Sequence, residues 1–256
     1  MSLDIWTQCG GPNRVAPIAC KAWRVVEAQH KVMTRRLVDD LEEQILLEQI
    51  VDDAKPPRPP GAQFEGLHFL LFTPFRHPPL KGGSRFGTAA ERGLWYGAKL
   101  LETCLAEKAY YQILFATGTR AKLKRLSCLW SAYRAEIKAS RGIDFTSPAF
   151  AAFQDDISSP STYVFSQRLG RQMRAAAVQA CVYRSARCHK KGQAIALLEP
   201  AFASRSPLGA SQTWVCTLTG DGCQVTPANV TASEVFEFKR SDFEVDRVLP
   251  QPCMAL

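Results

Sequence analysis

The sequence lacks most of the features that would place it at a glance. No apolar run approaches the roughly 18 residues of a membrane span, and the N-terminus lacks the charged-then-apolar layout of a secretory signal. Both absences favour a soluble, cytoplasmic protein without membrane contact. The nine cysteines are scattered, with no CxxC pair. His189 follows Cys188, yet no second Cys or His stands at finger spacing, so no metal site is expected and reduced thiols are. There is no strongly basic tail and no nucleic-acid-binding signature, so direct nucleic-acid contact is not expected. No internal repeat is visible.

What is present is ordinary in amount. At 256 residues, with 46% hydrophobic and 22% charged residues, the chain is one large domain or two small ones with ample core. The net charge of +8 favours an anionic partner: nucleic acid, a phosphorylated small molecule or an acidic protein. Basic residues cluster at Arg35-Arg36, Arg120 to Arg125, Arg168 to Arg174 and Arg184 to Lys191. A solvated basic surface would produce the same count.

The chain is organised around Gly83-Ser84-Arg85-Phe86-Gly87, Gly93-Leu94-Trp95-Tyr96-Gly97 and the helix expected over Leu100 to Leu114. Glycines let backbone approach a ligand or turn left-handed. At about 100° per residue, Leu101, Leu105 and Ala109 form one apolar stripe. Leu100, Cys104, Glu107, Tyr111 and Leu114 form a second, with one carboxylate inside it. Glu102 and Lys108 read as edge charges. Glu107 is either a surface residue on a partly covered stripe or a carboxylate in a cleft wall, facing Arg85 and Tyr96.

Residues 1–22 show no clear period at first and are expected as a loosely held arm. Ala22 to Val26 reads as a short strand. Arg24 within it is either exposed on an edge or buried and in need of an anion or acceptors. Asp40 with Glu43 fits a capping box for a helix that must stop near Lys55, before Pro56-Pro57; this makes a helical insertion of about 36–55. Leu67 to Phe72 is expected as a buried strand, ended by a rigid turn at Thr73 to Pro79. Arg120 to Ile137 reads as helix, strand or both, and Ser161 to Ala177 as helix with Gly170 a weak point. Ala180 to Tyr183 and Ala194 to Leu198 are strands. Ser185, just past the first of them, is a turn residue or a ligand contact. Thr219-Gly220-Asp221-Gly222 signals a hairpin in a C-terminal extension, 208–256, packed on the same domain. Strands and helices mix without strict alternation, so the expected class is α+β.

The order of these pieces resembles the RES-domain family. The resemblance is carried by Trp23-Arg24-Val25, Gly83 to Gly87, Gly93 to Gly97, Leu105-Ala106-Glu107, Tyr183 to Arg187 and Ala201 to Arg205. It covers about residues 23–207, with equal eleven-residue steps from Arg85 to Tyr96 to Glu107. It implies a mixed-sheet core like that of ADP-ribosyltransferases, flanked by helices. It implies the toxin of a bacterial toxin–antitoxin pair, an enzyme that cleaves the nicotinamide–ribose bond of NAD by phosphorolysis or hydrolysis. Mono-ADP-ribosyl transfer to a protein, or silent binding of NAD or a partner, are the alternatives. NAD would be the substrate and no cofactor is required; inorganic phosphate enters as a co-substrate if the reaction is phosphorolysis. The implied partner is an Xre-type helix-turn-helix antitoxin, and a homo-oligomer fits the family's habits. Glu107, Arg85, Tyr96 and Ser185 would be catalytic, and Arg24, Arg85, Tyr96 and Ser185 would bind NAD. The absence of a GxGxxG fingerprint argues against redox use of NAD. Cys188 to Gln193 departs from the family pattern, having no Asn before the strand, and Arg184 and Arg187 are phosphate candidates by position alone.

Overall fold

The computed structural model describes residues 4–28, 40–119, 125–229 and 234–254. Its frame is an eight-stranded mixed sheet built from β1 (Ala16–Glu27), β2 (Trp95–Ala98), β3 (Leu126–Asp144), β4 (Ala180–Arg184), β5 (Gln193–Leu197), β6 (Leu208–Thr219), β7 (Gly222–Pro227) and β8 (Phe236–Lys239). The spatial order is β1-β2-β5-β4-β3-β6-β7-β8, and β1 also pairs with β3. That extra pairing closes β1, β2, β5, β4 and β3 into a ring, with β6, β7 and β8 extending beyond β3. Only β3 and β4 run parallel; the other pairs are antiparallel. The helices are α1 (Ile5–Gln8), α2 (Leu41–Asp53), α3 (Phe69–Arg76), α4 (Leu101–Thr117), α5 (Gln154–Ile157) and α6 (Val164–Ala175). The fold is therefore α+β, a large mixed sheet with flanking helices. Among the described residues no helix is long and apolar enough to cross a membrane. All nine cysteines are free.

The long strand β3 holds the architecture together. It pairs with β1 from Trp130 to Gly142, with β6 over its first half and with β4 at its end. The stretch read as helix, strand or both is strand from Leu126 onward; residues 120–124 lie outside the described residues. One core packs α4 and Trp130 against Trp214, Cys216 and Val225. Another gathers Trp95, Tyr133, Ile195 and Leu197 around Leu71 and Phe75 of α3. The third joins Phe86, Phe145, Leu169 and Met173 to the N-terminus.

Three expectations need correction. The first residues are not a loose arm. Ile5 and Trp6 are buried in the third core, Gln172 of α6 donates to Asp4 Oδ1 at 2.5 Å, and β1 begins as early as Ala16. A four-residue helix is too short to show a period, so burial rather than pattern orders it.

The expected strand over Leu67–Phe72 is helix α3. Leu67, Leu71 and Phe75 are the buried residues, a spacing of four that the unbroken apolar run concealed. Pro74 sits inside this helix and has no N–H to give the Leu70 carbonyl. Tyr133 of β3 donates its hydroxyl to that carbonyl at 2.6 Å, so the acceptor the proline abandons is satisfied from the sheet. Gly170, expected as a weak point in α6, is a close-approach site: a side chain there would collide with the Phe86 carbonyl.

Other readings match. Glu43 N donates to Asp40 Oδ1 at 2.9 Å at the start of α2, which ends before Pro56-Pro57; residues 36–39 of the insertion lie outside the described residues. The hairpin turns at Gly220-Asp221 between β6 and β7, and β6 continues the sheet from β3.

Candidate functional site

A cleft of about 570 Å³ opens where β1, β2 and α4 meet. Its floor is prepared by the Gly83–Gly87 loop. Gly83 takes φ +78°, where only glycine is unstrained, and Ser84 and Gly87 then exchange backbone hydrogen bonds at 2.7 and 3.3 Å. Helix α6 seats the loop: Arg174 donates to the Phe86 carbonyl at 2.9 Å, and Gln167 Nε2 to the Gly82 and Ser84 carbonyls at 2.8 and 3.2 Å. Tyr96 fastens it from the other side. Its hydroxyl donates to Ser84 Oγ at 2.9 Å and accepts from Phe86 N–H at 3.1 Å. Burial pushes this phenol up, so it stays protonated.

Glu107 lies in the cleft wall, so the cleft alternative is the observed one. Ser185 donates its hydroxyl to Glu107 Oε1 at 2.5 Å. The same Ser185 oxygen accepts from the N–H groups of Arg187 and Cys188 at 3.2 and 3.1 Å. Both acceptor sites and the donor of this buried hydroxyl are thus committed. Ser185 does not line the cleft; it holds the carboxylate from behind.

Arg85 is sealed, 6% exposed. Its Nη1 donates to the Ile157 and Ser159 carbonyls at 3.2 and 3.0 Å, and its guanidinium stands 5.2 and 5.8 Å from the Tyr163 and Tyr183 rings. Burial disfavours its charge, but Tyr163, Tyr183 and Glu107 outweigh that and hold it above its ordinary range. Arg24 is only partly buried. Its Nη1 donates to the Tyr96 carbonyl, its guanidinium lies 5.6 Å from the Trp95 ring, and its buried Nε has no partner. Beyond Arg24 a second hollow of about 380 Å³ continues the groove, sharing Arg24, Ser84 and Tyr96 with the cleft.

The structure therefore brings Arg24, Arg85, Tyr96 and Glu107 to one cleft, and Ser185 to the carboxylate. Lys108, read as an edge charge, also lines the cleft and pairs with Glu27 of β1 at 3.3 Å. A helical wheel gives angles, not neighbours, and β1 is what draws Lys108 in. Tyr163 and Tyr183 were not singled out as site residues; burial drives the Tyr183 phenol up, reinforced by Glu107. Of the second stripe, Leu100 is exposed and Leu114 belongs to a core, so only Cys104, Glu107 and Tyr111 face the cleft.

A chain in the crystal structure of the M. tuberculosis MbcT–MbcA toxin–antitoxin complex is similar, with a TM-score of 0.44 and 14% identity over 84% of this chain and 92% of that one. No curated protein matches. The model of the RES domain matches residues 58–219. Arg24 precedes that stretch, whereas Arg85, Tyr96, Glu107 and Ser185 fall inside it. The match spans more than half of the sequence and contains the cleft's carboxylate with the serine that holds it, so the chain belongs to the RES-domain family.

Proposed function

We propose that this protein is an NAD-degrading enzyme that breaks the nicotinamide–ribose bond and serves as the toxin of a toxin–antitoxin pair. The observation that carries the reading is Glu107, a carboxylate in the cleft wall fixed by Ser185 at 2.5 Å. In this reaction the C1′–N bond breaks and its electron pair leaves with nicotinamide, whose ring nitrogen loses its positive charge. An oxygen of water or phosphate then bonds to C1′, and attacking water releases a proton. The leaving group departs neutral, so no strong general acid is required. What is required is negative charge beside the oxocarbenium-like ribose. Glu107 supplies it, and Ser185 keeps it oriented.

Arg24 takes the pyrophosphate: it stands where the cleft passes into the second hollow, and guanidinium matches phosphate oxygens. The groove on both sides of it offers room for the two halves of a dinucleotide. Tyr96 offers a ring face to nicotinamide. Arg85 backs the site as a buried cation rather than as a clamp. An Xre-type antitoxin that covers the cleft is the proposed partner.

The test is purified protein incubated with NAD, with and without inorganic phosphate, products being identified by chromatography. Phosphate-dependent loss with a phosphorylated ADP-ribose product means phosphorolysis; free ADP-ribose means hydrolysis. Folded protein that binds NAD and leaves it intact would overturn the reading.

A further inference from the structure

The sequence holds six tyrosines, all of them among the described residues. Three spend their hydroxyl on the fold: Tyr96 on Ser84 Oγ, Tyr110 on the Pro250 carbonyl at 2.6 Å and Tyr133 on the Leu70 carbonyl. The other three line the cleft. Tyr111 and Tyr163 have each other, their oxygens 3.3 Å apart. Tyr183 is the tyrosine whose hydroxyl has no hydrogen-bond partner among the described residues.

That oxygen is not closed over. Tyr183 is 3% exposed, yet its hydroxyl is not among the fully enclosed atoms that lack a partner. Of the described cavities, Tyr183 lines the cleft and no other. The unspent donor therefore opens into the cleft. The ring behind it is fixed: Phe86 meets it edge-on at 5.0 Å, and the Arg85 guanidinium lies 5.8 Å from its centre. Burial, with Glu107 adding to it, keeps the phenol protonated at neutral pH.

Strand register places this donor. Tyr96 and Cys181 both stand opposite Ala196 of β5, and Ala98 and Tyr183 both stand opposite Ala194. Cross-strand partners and alternate residues share a face, so Tyr96 and Tyr183 rise from the same face of the sheet. They are two strand spacings apart, about 10 Å across the sheet, with alanines of β5 between them. A ring set against Tyr96 thus has Tyr183 toward its edge.

Nicotinamide carries one strong acceptor beside its ring, the carboxamide carbonyl. While the ring nitrogen is cationic that oxygen accepts poorly; as the electron pair leaves with the ring it accepts better. A donor there is strengthened in the transition state. A donor to the ribose would oppose the positive charge that builds on the sugar, where Glu107 is the fitting partner. We propose that Tyr183 is a further catalytic residue, its hydroxyl donating to the carboxamide oxygen of the departing nicotinamide while Glu107 faces the ribose. Tyr183 takes this role on the reading of the protein as an NAD-cleaving enzyme. It keeps its proton throughout.

Tyr183→Phe removes one oxygen and leaves the ring packing. It should lower kcat/KM for NAD about tenfold or more, mostly through kcat. Its unfolding midpoint should be no lower than wild type, because no protein acceptor loses a donor. Tyr133→Phe is the contrast: it strands the Leu70 carbonyl and should lower the midpoint, while turnover per folded molecule is kept. A second substrate locates the contact. The thionicotinamide analogue of NAD has sulfur, a weak acceptor, in place of the carboxamide oxygen, and Tyr183→Phe should slow its cleavage about twofold or less. Equal losses on the two substrates overturn the carboxamide contact. Unchanged NAD turnover in Tyr183→Phe, or a loss that follows a lowered unfolding midpoint, overturns the catalytic role. Wild-type protein that leaves NAD intact brings down the NAD reading and this proposal together; wild-type cleavage matched by Tyr183→Phe brings down this proposal alone.

Discussion

Arg24 and Arg85 reach the same cleft from β1 and from the glycine loop, and they are held in opposite ways. Arg85 is sealed, with two carbonyls and two tyrosine rings around it. It ties the Gly83–Gly87 loop to the Ile157–Ser159 segment. Arg24 makes one bond to the Tyr96 carbonyl and keeps a buried Nε unpaired. Sequence put both forward as NAD ligands. Their placement separates them: Arg85, buried, spends Nη1 on two backbone carbonyls and fastens the loop, whereas Arg24, partly exposed, lines both the cleft and the second hollow, which suits it to be the binder.

The comparison presumes a ligand against Glu107, so the largest effect is expected there. Glu107→Gln should lower NAD consumption about 100-fold or more with an unchanged unfolding temperature; near-normal turnover would remove the common ligand. Arg85→Met comes next. It strands two carbonyls beside Tyr163 and Tyr183, and should cost about 2–4 kcal/mol in denaturant unfolding, taking activity down with the fold. Arg24→Gln should raise KM for NAD about tenfold while leaving stability within about 0.5 kcal/mol. If instead Arg24→Gln unfolds the protein and Arg85→Met does not, fastener and binder must be exchanged. Ser185→Ala removes one donor to the carboxylate and should reduce kcat by about fivefold with little change in KM.

The smallest effect near neutrality is alkaline. Burial raises the phenols of Tyr96, Tyr110, Tyr111 and Tyr183, and that of Tyr133 to about 12. In the unfolded chain tyrosines release protons near pH 10. Above that the unfolded state binds fewer protons than the native one, so stability is intact below about pH 10 and falls as pH rises toward 12. Unfolding temperature against pH reads this directly, and a flat profile would mean that these five phenols are in contact with water.

Much of the site was legible because its residues sit at fixed steps. The eleven residues from Arg85 to Tyr96 and again to Glu107 are a loop, a strand and a helix turn apart, and composition marked each piece. The interior of α4 also followed from its wheel. What was hidden depends on distant partners. Lys108 enters the cleft because Glu27 of β1 meets it, and no local pattern encodes that. Ser185 was expected to touch the ligand; two backbone N–H groups and Glu107 exhaust it instead. The Leu67–Phe72 run gave no period, and a proline two residues on argued against helix. Tyr133, some sixty residues away, supplies what that proline withholds.

The ring of strands has a consequence in time. β1 is made before β3, yet its register is set by it, Trp23 lying opposite Arg134 roughly a hundred residues later. Contacts between segments so far apart in sequence are slow to form. Arg24 on β1 reaches its place in the cleft only once β3 has closed the ring. The newly made chain is therefore expected to lack its cleft until β3 has been made, an interval in which anything that binds β1 alone would keep the cleft from forming.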